Sequence, residues 1–208
     1  MLDSKDFDLW AGGYDKSVGI CDESNSYPFA GYKNILNTIY NMVLNKTEAA
    51  VLDIGFGTGA LTKKLYEQGC RIIGIDFSHE MIRIAKEKMP NATLIQADFK
   101  KGLPDEISSI GYDFIIATYS LHHLSNSEKV LFLESLLECL HPDGQIIIGD
   151  VAFENRELLN SCMEMSGDEW DEDEFYFVYD ELKEHFKDKI AFHKFSFCAG
   201  ILTITKGN

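Results

Sequence analysis

One stretch of the chain, Val51 to Thr62, constrains the fold more than any other. It begins with an apolar run typical of a buried strand and continues through Gly55, Gly57 and Gly59 into a helical pattern. Glycines at alternate positions permit positive φ angles and let a ligand approach the bare backbone. The first N–H groups of the following helix have no partner within the helix, so they can bind a polar ligand. The stretch therefore predicts a strand–turn–helix unit with a ligand site at the turn.

The spacing of the glycines distinguishes two classes of ligand. A dinucleotide-binding loop reads G-x-G-x-x-G. This loop reads G-x-G-x-G, with Ala60 at the place of the third glycine, and Asp53 lies two positions before the first glycine. The pattern D-x-G-x-G-x-G resembles the nucleoside-binding loop of class I S-adenosylmethionine-dependent methyltransferases. Because an ordinary strand–helix turn can also be rich in glycine, the motifs in the rest of the chain decide between the two interpretations.

Length, charge and cysteine use limit the class of protein. The 208 residues are enough for one compact domain, 1–208, with a full hydrophobic core. The formal charge of -15 repels phosphate backbones and anionic lipids, so we expect neither a nucleic acid nor a membrane as partner. The five scattered cysteines include no C-x-x-C pair, which argues against a disulfide framework and a structural zinc site. With no apolar run near ~20 residues and no secretory signal, the expected location is the cytoplasm.

Short apolar runs alternate with helical patterns from residue 32 to residue 150. The expected strands are 51–54, 70–76, 93–97, 113–118 and 145–150, and the expected helices are 32–45, 61–69, 78–90 and 125–140. Ser125 and Glu128 form a capping box, and Pro142-Asp143-Gly144 predicts a turn before the fifth strand. The alternation predicts an α/β fold with a doubly wound, mostly parallel sheet and helices on both faces.

The end of the chain completes the predicted sheet. The runs 190–197 and 200–205 are too close in sequence for a crossover, so they predict an antiparallel hairpin. A five-stranded parallel unit that ends in such a hairpin resembles the seven-stranded methyltransferase fold.

Two segments do not follow this alternation. The first is an N-terminal flap, 1–32, whose pieces Phe7-Asp8-Leu9-Trp10-Ala11 and Tyr14-Asp15 resemble the F-D-x-W-A-x-x-Y-D segment of small-molecule methyltransferases. In that family the segment closes over the cofactor and lines the substrate pocket, and for Tyr14 both a lid role and simple packing remain open. The second is an insertion, 151–180, near the expected substrate pocket. There we expect a helix over 154–165, a solvated acidic loop over 166–174 and a further helix over 175–186.

The carboxyl ends of the predicted strands carry the candidate ligand-binding residues, because ligands of doubly wound sheets bind along this edge. The candidate cofactor-binding residues are Asp53, Gly55, Phe56, Gly57, Gly59, Asp76, Phe77, Asp98, Phe99 and Tyr119. As an ionised carboxylate, Asp76 can accept hydrogen bonds from both ribose hydroxyls. By resemblance to the family, Asp98 accepts the adenine amine while Phe77 and Phe99 pack against the base. Asp53 either holds the ammonium group of the cofactor or braces the glycine loop.

The resemblance implies S-adenosylmethionine as cofactor, S-adenosylhomocysteine as product and a small-molecule acceptor. Because the cofactor supplies the reactive methyl group, the protein mainly aligns the acceptor with it, and a general base is optional. The candidates for such a base are Tyr14, Tyr119, His122 and His123. In an extended segment the two adjacent histidines would point in opposite directions. No third ligand accompanies them in the sequence, so no metal site is expected.

Two alternatives remain at this stage. An aminopropyl transferase has a related fold, although 117–120 lack the extra acidic residue that such enzymes use to hold a polyamine. A cofactor-binding subunit without turnover would also keep the glycine loop and the aspartates. Neither the acceptor nor the oligomeric state follows from these motifs.

Overall fold

The computed structural model describes Val18, Glu23 and residues 25–207. The candidate residue Tyr14 and most of the predicted flap lie outside the described residues. Within them, no helix is long and apolar enough to cross a membrane.

The described part of the chain alternates strands and helices, as the apolar pattern predicts. The helices are α1 (Tyr32–Val43), α2 (Thr62–Glu67), α3 (His79–Lys88), α4 (Asp105–Ser108), α5 (Asn126–Glu138), α6 (Arg156–Ser166) and α7 (Tyr179–Phe186). The strands are β1 (Ala50–Ile54), β2 (Arg71–Asp76), β3 (Thr93–Gln96), β4 (Tyr112–Thr118), β5 (Leu140–Phe153), β6 (Phe177–Val178), β7 (Ile190–Lys194) and β8 (Ala199–Thr205). Ser125 and Glu128 form the predicted capping box at the start of α5.

The sheet has the strand order β3-β2-β1-β4-β5-β8-β7, and β6 pairs with β5 outside this path. Strands β1 to β5 run parallel, whereas β8 pairs antiparallel with both β5 and β7. The chain order reverses between β1 and β4. The predicted mixed sheet with a terminal antiparallel hairpin is therefore confirmed, and its carboxyl-end crevice lies where doubly wound folds bind ligands.

Helices cover both faces of this sheet, so its central strands are buried on both sides. All five residues of β1 are buried. Because side chains alternate along a strand, Leu52 and Ile54 pack into one apolar cluster and Val51 packs into the other. This double burial explains the continuous apolar run before the glycine loop.

The prediction of a helix over 175–186 is wrong in its first part. Phe177 and Val178 form β6, which pairs parallel with Ala152 and Phe153, and α7 begins only at Tyr179. The side chains of three consecutive residues, Tyr176 to Val178, are buried, so this extended segment packs on both of its sides. Long-range pairing outweighs local helical propensity here.

The predicted turn at Pro142-Asp143-Gly144 also differs in the structure. The residues lie within β5, at an irregularity in its pairing with β4. Tyr112 pairs with Leu140, whereas Phe114 pairs with Gln145. The extra residues form a bulge, so the strand begins earlier than the turn-forming sequence indicates.

Asp113, near the amino end of β4, forms polar contacts with residues before β1, at the start of β1 and in β5. Its carboxylate accepts hydrogen bonds from the Lys46 Nζ atom at 2.7 Å and the Ala50 N–H group at 2.8 Å, and it contacts the His141 Nδ1 atom at 2.8 Å. Burial by itself would raise the pKa of Asp113, but these donors outweigh burial and lower the pKa to about 2. The ionised form is therefore more stable in the folded than in the unfolded protein.

We expect Asp113→Asn to lower the free energy of unfolding by about 2 kcal/mol at pH 7. A lowered folded-state pKa stabilises the fold above the unfolded-state pKa near ~4, and this contribution is lost as the pH falls toward about 2. Denaturant unfolding of both proteins at a series of pH values measures this contribution of Asp113 to the free energy of unfolding. Equal stabilities at pH 7 would show that the three contacts contribute nothing net.

Candidate functional site

A cavity of about 420 Å³ opens at the carboxyl ends of the parallel strands. On one side it is lined by the glycine loop after β1 and the residues that follow β2 and β4. On the other side it is lined by Tyr27–Phe29, Tyr32 and three acidic residues from the insertion. Seven of the predicted cofactor-binding residues line it: Gly55, Phe56, Gly57, Asp76, Phe77, Phe99 and Tyr119.

The glycine loop has the backbone geometry that its sequence predicts. Gly55, Gly57 and Gly59 all have positive φ angles, at 69°, 56° and 77°. A Cβ atom added to Gly57 would meet no atom within 4 Å, so this position leaves room for a ligand against bare backbone. Gly59 does not line the cavity, and a Cβ atom there would lie 2.9 Å from the Met89 side chain.

Asp76 joins the glycine loop to the start of α3. Its Oδ2 atom accepts the Gly57 N–H group and its Oδ1 atom accepts the Ser78 N–H group, both at 2.9 Å. Asp76 lines the cavity although only 4% of its surface is exposed. A carboxylate has about four acceptor positions, and these two backbone bonds fix the orientation of the Asp76 carboxylate.

Asp53 lies behind the glycine loop and does not line the cavity. Its Oδ2 atom accepts the Thr62 hydroxyl at 2.5 Å, which connects β1 to the first residue of α2. Among the described residues its Oδ1 atom has no hydrogen-bond partner. Burial, with a smaller contribution from the charge of Asp76, raises the pKa of Asp53 to about 7, although the Thr62 bond opposes the shift. This contact is with the helix that follows the glycine loop, and it is neither of the two roles that the sequence left open.

Asp98 also lies outside the cavity lining. Its carboxylate accepts the Lys100 N–H group at 3.1 Å and pairs with Lys101 at 3.5 Å, so it caps the short turn after β3. The next residue, Phe99, is buried, lines the cavity and packs its ring against Phe132. The structure thus places the aromatic residue of this pair at the site and turns the carboxylate outward.

An aromatic group lines the other side of the cavity, and three of its members, Tyr27, Phe29 and Tyr32, come from the predicted flap, 1–32, but were not candidate site residues. The rings of Phe29 and Tyr32 lie 5.1 Å and 5.2 Å from the ring of Tyr119. Tyr27 is buried and stacks on Trp170, with ring centroids 5.3 Å apart. The density of aromatic residues before residue 33 was the available sequence signal, but their partners are more than 80 residues away along the chain.

His122 and His123 lie in a short 3₁₀ turn, Leu121–His123, rather than in extended chain. Their ring centroids are 4.3 Å apart, and both residues line the cavity. The expectation that the two rings point in opposite directions applied to an extended segment, and the backbone here is not extended. The His122 Nδ1 atom contacts the Asp150 Oδ1 atom at 2.7 Å, and its Nε2 atom lies 3.4 Å from the Glu174 Oε1 atom.

The two histidines differ in their electrostatic surroundings. Burial opposes protonation of His122, but the carboxylates of Asp150 and Glu174 outweigh burial and raise its pKa. For His123, burial and the neighbouring His122 lower the pKa to about 3, so this ring is neutral at pH 7.

Glu174 is the main residue that the sequence analysis missed. It was expected in a solvated acidic loop, yet its side chain is only 20% exposed and points at His122. The Tyr176 hydroxyl donates to its Oε2 atom at 2.7 Å, and burial raises the pKa of the Glu174 carboxyl group. A hydrogen bond from the Phe175 N–H group to the His122 carbonyl, at 2.8 Å, holds the two segments together. No local pattern distinguishes Glu174 from its acidic neighbours.

Lys129 is buried close to this group. Its ammonium group donates to the Phe175 carbonyl and lies 4.5 Å from the centroid of the Phe177 ring. Burial lowers the pKa of Lys129 to about 7, even though nearby carboxylates act in the opposite direction.

Known proteins with the same sequence features identify the family. Residues 51–144 match the family described as a methyltransferase domain. An uncharacterized methyltransferase of Alkaliphilus oremlandii is 35% identical over 188 residues, which cover 88% of this chain and 82% of that protein. The chain belongs to the class I S-adenosylmethionine-dependent methyltransferases. An uncharacterized methyltransferase of Geobacillus kaustophilus is 40% identical to this enzyme over 159 residues, 76% of this chain and 71% of the relative.

Solved structures share the fold of this methyltransferase. The structure of a DhpI–SAH complex has a TM-score of 0.70 at 18% identity, covering 98% of this chain and 96% of that one. Magnesium protoporphyrin IX methyltransferase from Synechocystis PCC 6803, with bound SAH, has a TM-score of 0.66 at 18% identity, covering 86% and 85%. At these identities the likeness concerns the fold, and the substrates of the two proteins are not carried over to this enzyme.

Proposed function

We propose that this methyltransferase transfers a methyl group to a small-molecule acceptor by in-line displacement. The observation that carries the proposal is that one cavity joins the glycine loop and Asp76 to the aromatic group of Tyr27, Phe29 and Tyr32. Its volume of about 420 Å³ lies in the range of small-molecule sites. The formal charge of -15 supports a small acceptor over a nucleic acid.

The residues on the strand side fit the cofactor. Asp76 would accept the ribose hydroxyls, Gly55, Phe56 and Gly57 would face the nucleoside with their backbone, and Phe77 and Phe99 would pack against the adenine. S-adenosylmethionine supplies an activated methyl group when it is bound. The open space at Gly57 and the position of Asp76 support this assignment.

Asp53, Gly59 and Asp98 have different roles in this proposal. Asp53 braces the start of α2 through Thr62, and Gly59 provides the turn into that helix. A contact between Asp98 and the adenine amine would need its carboxylate to leave the Lys100 N–H group.

The acceptor side orients the substrate and excludes water. Tyr119 follows β4, and its ring packs against Phe29 and Tyr32, so the acceptor would lie between this aromatic group and the methyl group. His122 and His123 flank the same space. We assign none of these groups as an obligatory general base, because alignment alone can support methyl transfer to a nucleophilic acceptor.

We expect the methyl label to appear in small molecules. Purified enzyme is incubated with S-adenosylmethionine labelled in the methyl group and with a deproteinised metabolite extract, a protein extract or RNA in separate reactions. Chromatography should show a labelled product only in the reaction with the metabolite extract. Its mass should be below about 1 kDa, because a larger molecule would not fit a pocket of this volume. Heat-denatured enzyme is the control. Label that accumulates only in protein or RNA would contradict a small-molecule acceptor.

A further inference from the structure

Three potential metal ligands converge beside the acceptor side of the cavity. Each of His122, His123 and Glu174 offers one ligand atom, and these atoms lie within 4.8 Å of one another. In a tetrahedral zinc site, ligand atoms ~2.1 Å from the ion are ~3.4 Å apart, so the ligand atoms here would need to approach one another by less than about 1.5 Å to complete the coordination. The His122 Nε2 atom and the Glu174 Oε1 atom are already only 3.4 Å apart.

Neighbouring groups fix the orientation of His122 and Glu174 in the way that hydrogen-bonding groups fix metal ligands in known metal sites. Asp150 is fully buried and holds the His122 Nδ1 atom at 2.7 Å, which leaves the Nε2 atom directed at Glu174. The Tyr176 hydroxyl holds the Glu174 Oε2 atom at 2.7 Å, so the Oε1 atom faces His122. A metal-binding histidine commonly has its second ring nitrogen fixed by a carboxylate, and a ligating carboxylate is commonly hydrogen-bonded in turn.

The donor set and its position indicate the class of metal. Two imidazoles and one carboxylate are a set that zinc accepts, and catalytic zinc sites keep a fourth position open. All three residues line the cavity, so an open fourth position would face the space assigned to the acceptor.

We propose that His122, His123 and Glu174 bind one divalent transition-metal ion of the zinc class. Its open position faces the acceptor side of the cavity. An acceptor with a thiol or hydroxyl group could coordinate there as the anion, after releasing its proton to solvent. Only this last step rests on the proposed function.

The test measures metal binding without methyl transfer. Enzyme freed of metal with a chelator is titrated with Zn²⁺ by calorimetry, and Co²⁺ is added separately to record its visible absorption. We expect one site per chain, and Glu174→Gln and His123→Ala should each weaken Zn²⁺ binding at least about 10-fold. The controls Glu172→Gln and His185→Ala change exposed residues of the same types outside the cluster and should bind as the unchanged enzyme does.

Two outcomes would overturn the site. One is the absence of a stoichiometric Zn²⁺ site in the unchanged enzyme, and the other is equal binding by all four variants. The Co²⁺ spectrum of the unchanged enzyme tests the site even where a variant fails to fold. Co²⁺ that is coordinated directly by protein ligands has stronger visible absorption bands than hydrated Co²⁺. Binding of S-adenosylmethionine to the metal-free enzyme is measured in parallel, so a missing metal site is distinguished from a missing cofactor site.

Discussion

Replacing Asp76 by alanine should weaken the binding of S-adenosylmethionine by at least about 100-fold. The substitution removes the carboxylate that we propose as the acceptor of both ribose hydroxyls, and hydrogen bonds to a charged group contribute about 1.5–3 kcal/mol each. It also releases the Gly57 and Ser78 N–H groups that Asp76 now holds at 2.9 Å, so the glycine loop loses a fixed position. Calorimetric titration with S-adenosylmethionine and with S-adenosylhomocysteine measures the loss, which should be similar for both because they share the ribose.

Asp98→Ala is the matched control for this prediction. It also removes a strand-end carboxylate, but the structure directs that carboxylate to Lys100 and Lys101 rather than into the cavity. Even a direct contact with the adenine amine would be one such hydrogen bond where Asp76 makes two, so the loss of affinity should be at least about 10-fold smaller than in Asp76→Ala. Unchanged affinity in Asp76→Ala, in a protein that melts as a folded domain, would show that the ribose assignment is wrong.

Two glycine substitutions should separate folding from binding within one loop. Both Gly55 and Gly57 have positive φ angles, which cost a residue with a Cβ atom about 1–2 kcal/mol. A Cβ atom at Gly55 would also lie 2.5 Å from the Ser120 Cβ atom, and Ser120 is held by its hydrogen bond to the Ile54 carbonyl at 2.8 Å. Strain and overpacking together should lower the free energy of unfolding of Gly55→Ala by roughly 2–4 kcal/mol.

Gly57→Ala should lower the affinity for the cofactor more than it lowers the stability of the fold. Its Cβ atom meets nothing within 4 Å, so stability should fall only by about 1–2 kcal/mol from the backbone conformation. The new methyl group would occupy space that the cofactor needs, and we expect affinity for S-adenosylmethionine to fall roughly 10- to 100-fold. Denaturant unfolding and calorimetric titration of both variants provide the comparison. Equal affinities of Gly57→Ala and the unchanged enzyme would mean that the cofactor does not lie against this glycine.

Local patterns were sufficient for most of the fold and for half of the site. The strands are short apolar runs because they are buried on both faces, and that burial leaves a continuous signal in the sequence. The three glycines and Asp76 are separated by a single helix, so their relation follows from one strand–turn–helix–strand unit. The seven predicted residues that line the cavity all lie at the carboxyl end of a parallel strand or within three residues after it.

Other parts of the fold depend on contacts between distant segments. Phe177 and Val178 belong to a strand because β5 is there to pair with them. The bulge in β5 likewise follows from its register against β4, which no local turn signal contains.

The sequence by itself determined the doubly wound fold and the family, and it predicted the residues on the strand side of the cavity, because each inference rests on motifs of residues close together in the chain. The sequence predicted that the segments 1–32 and 151–180 lie near the substrate pocket, but only the tertiary structure decided which of their residues line the cavity. It brought Tyr27 against Trp170 and Glu174 against His122, across 143 and 52 positions of the chain respectively. It also turned Asp98 outward and placed Asp53 behind the loop. Side chains of one type look alike in a sequence, and their roles are set by the partners that packing brings to them.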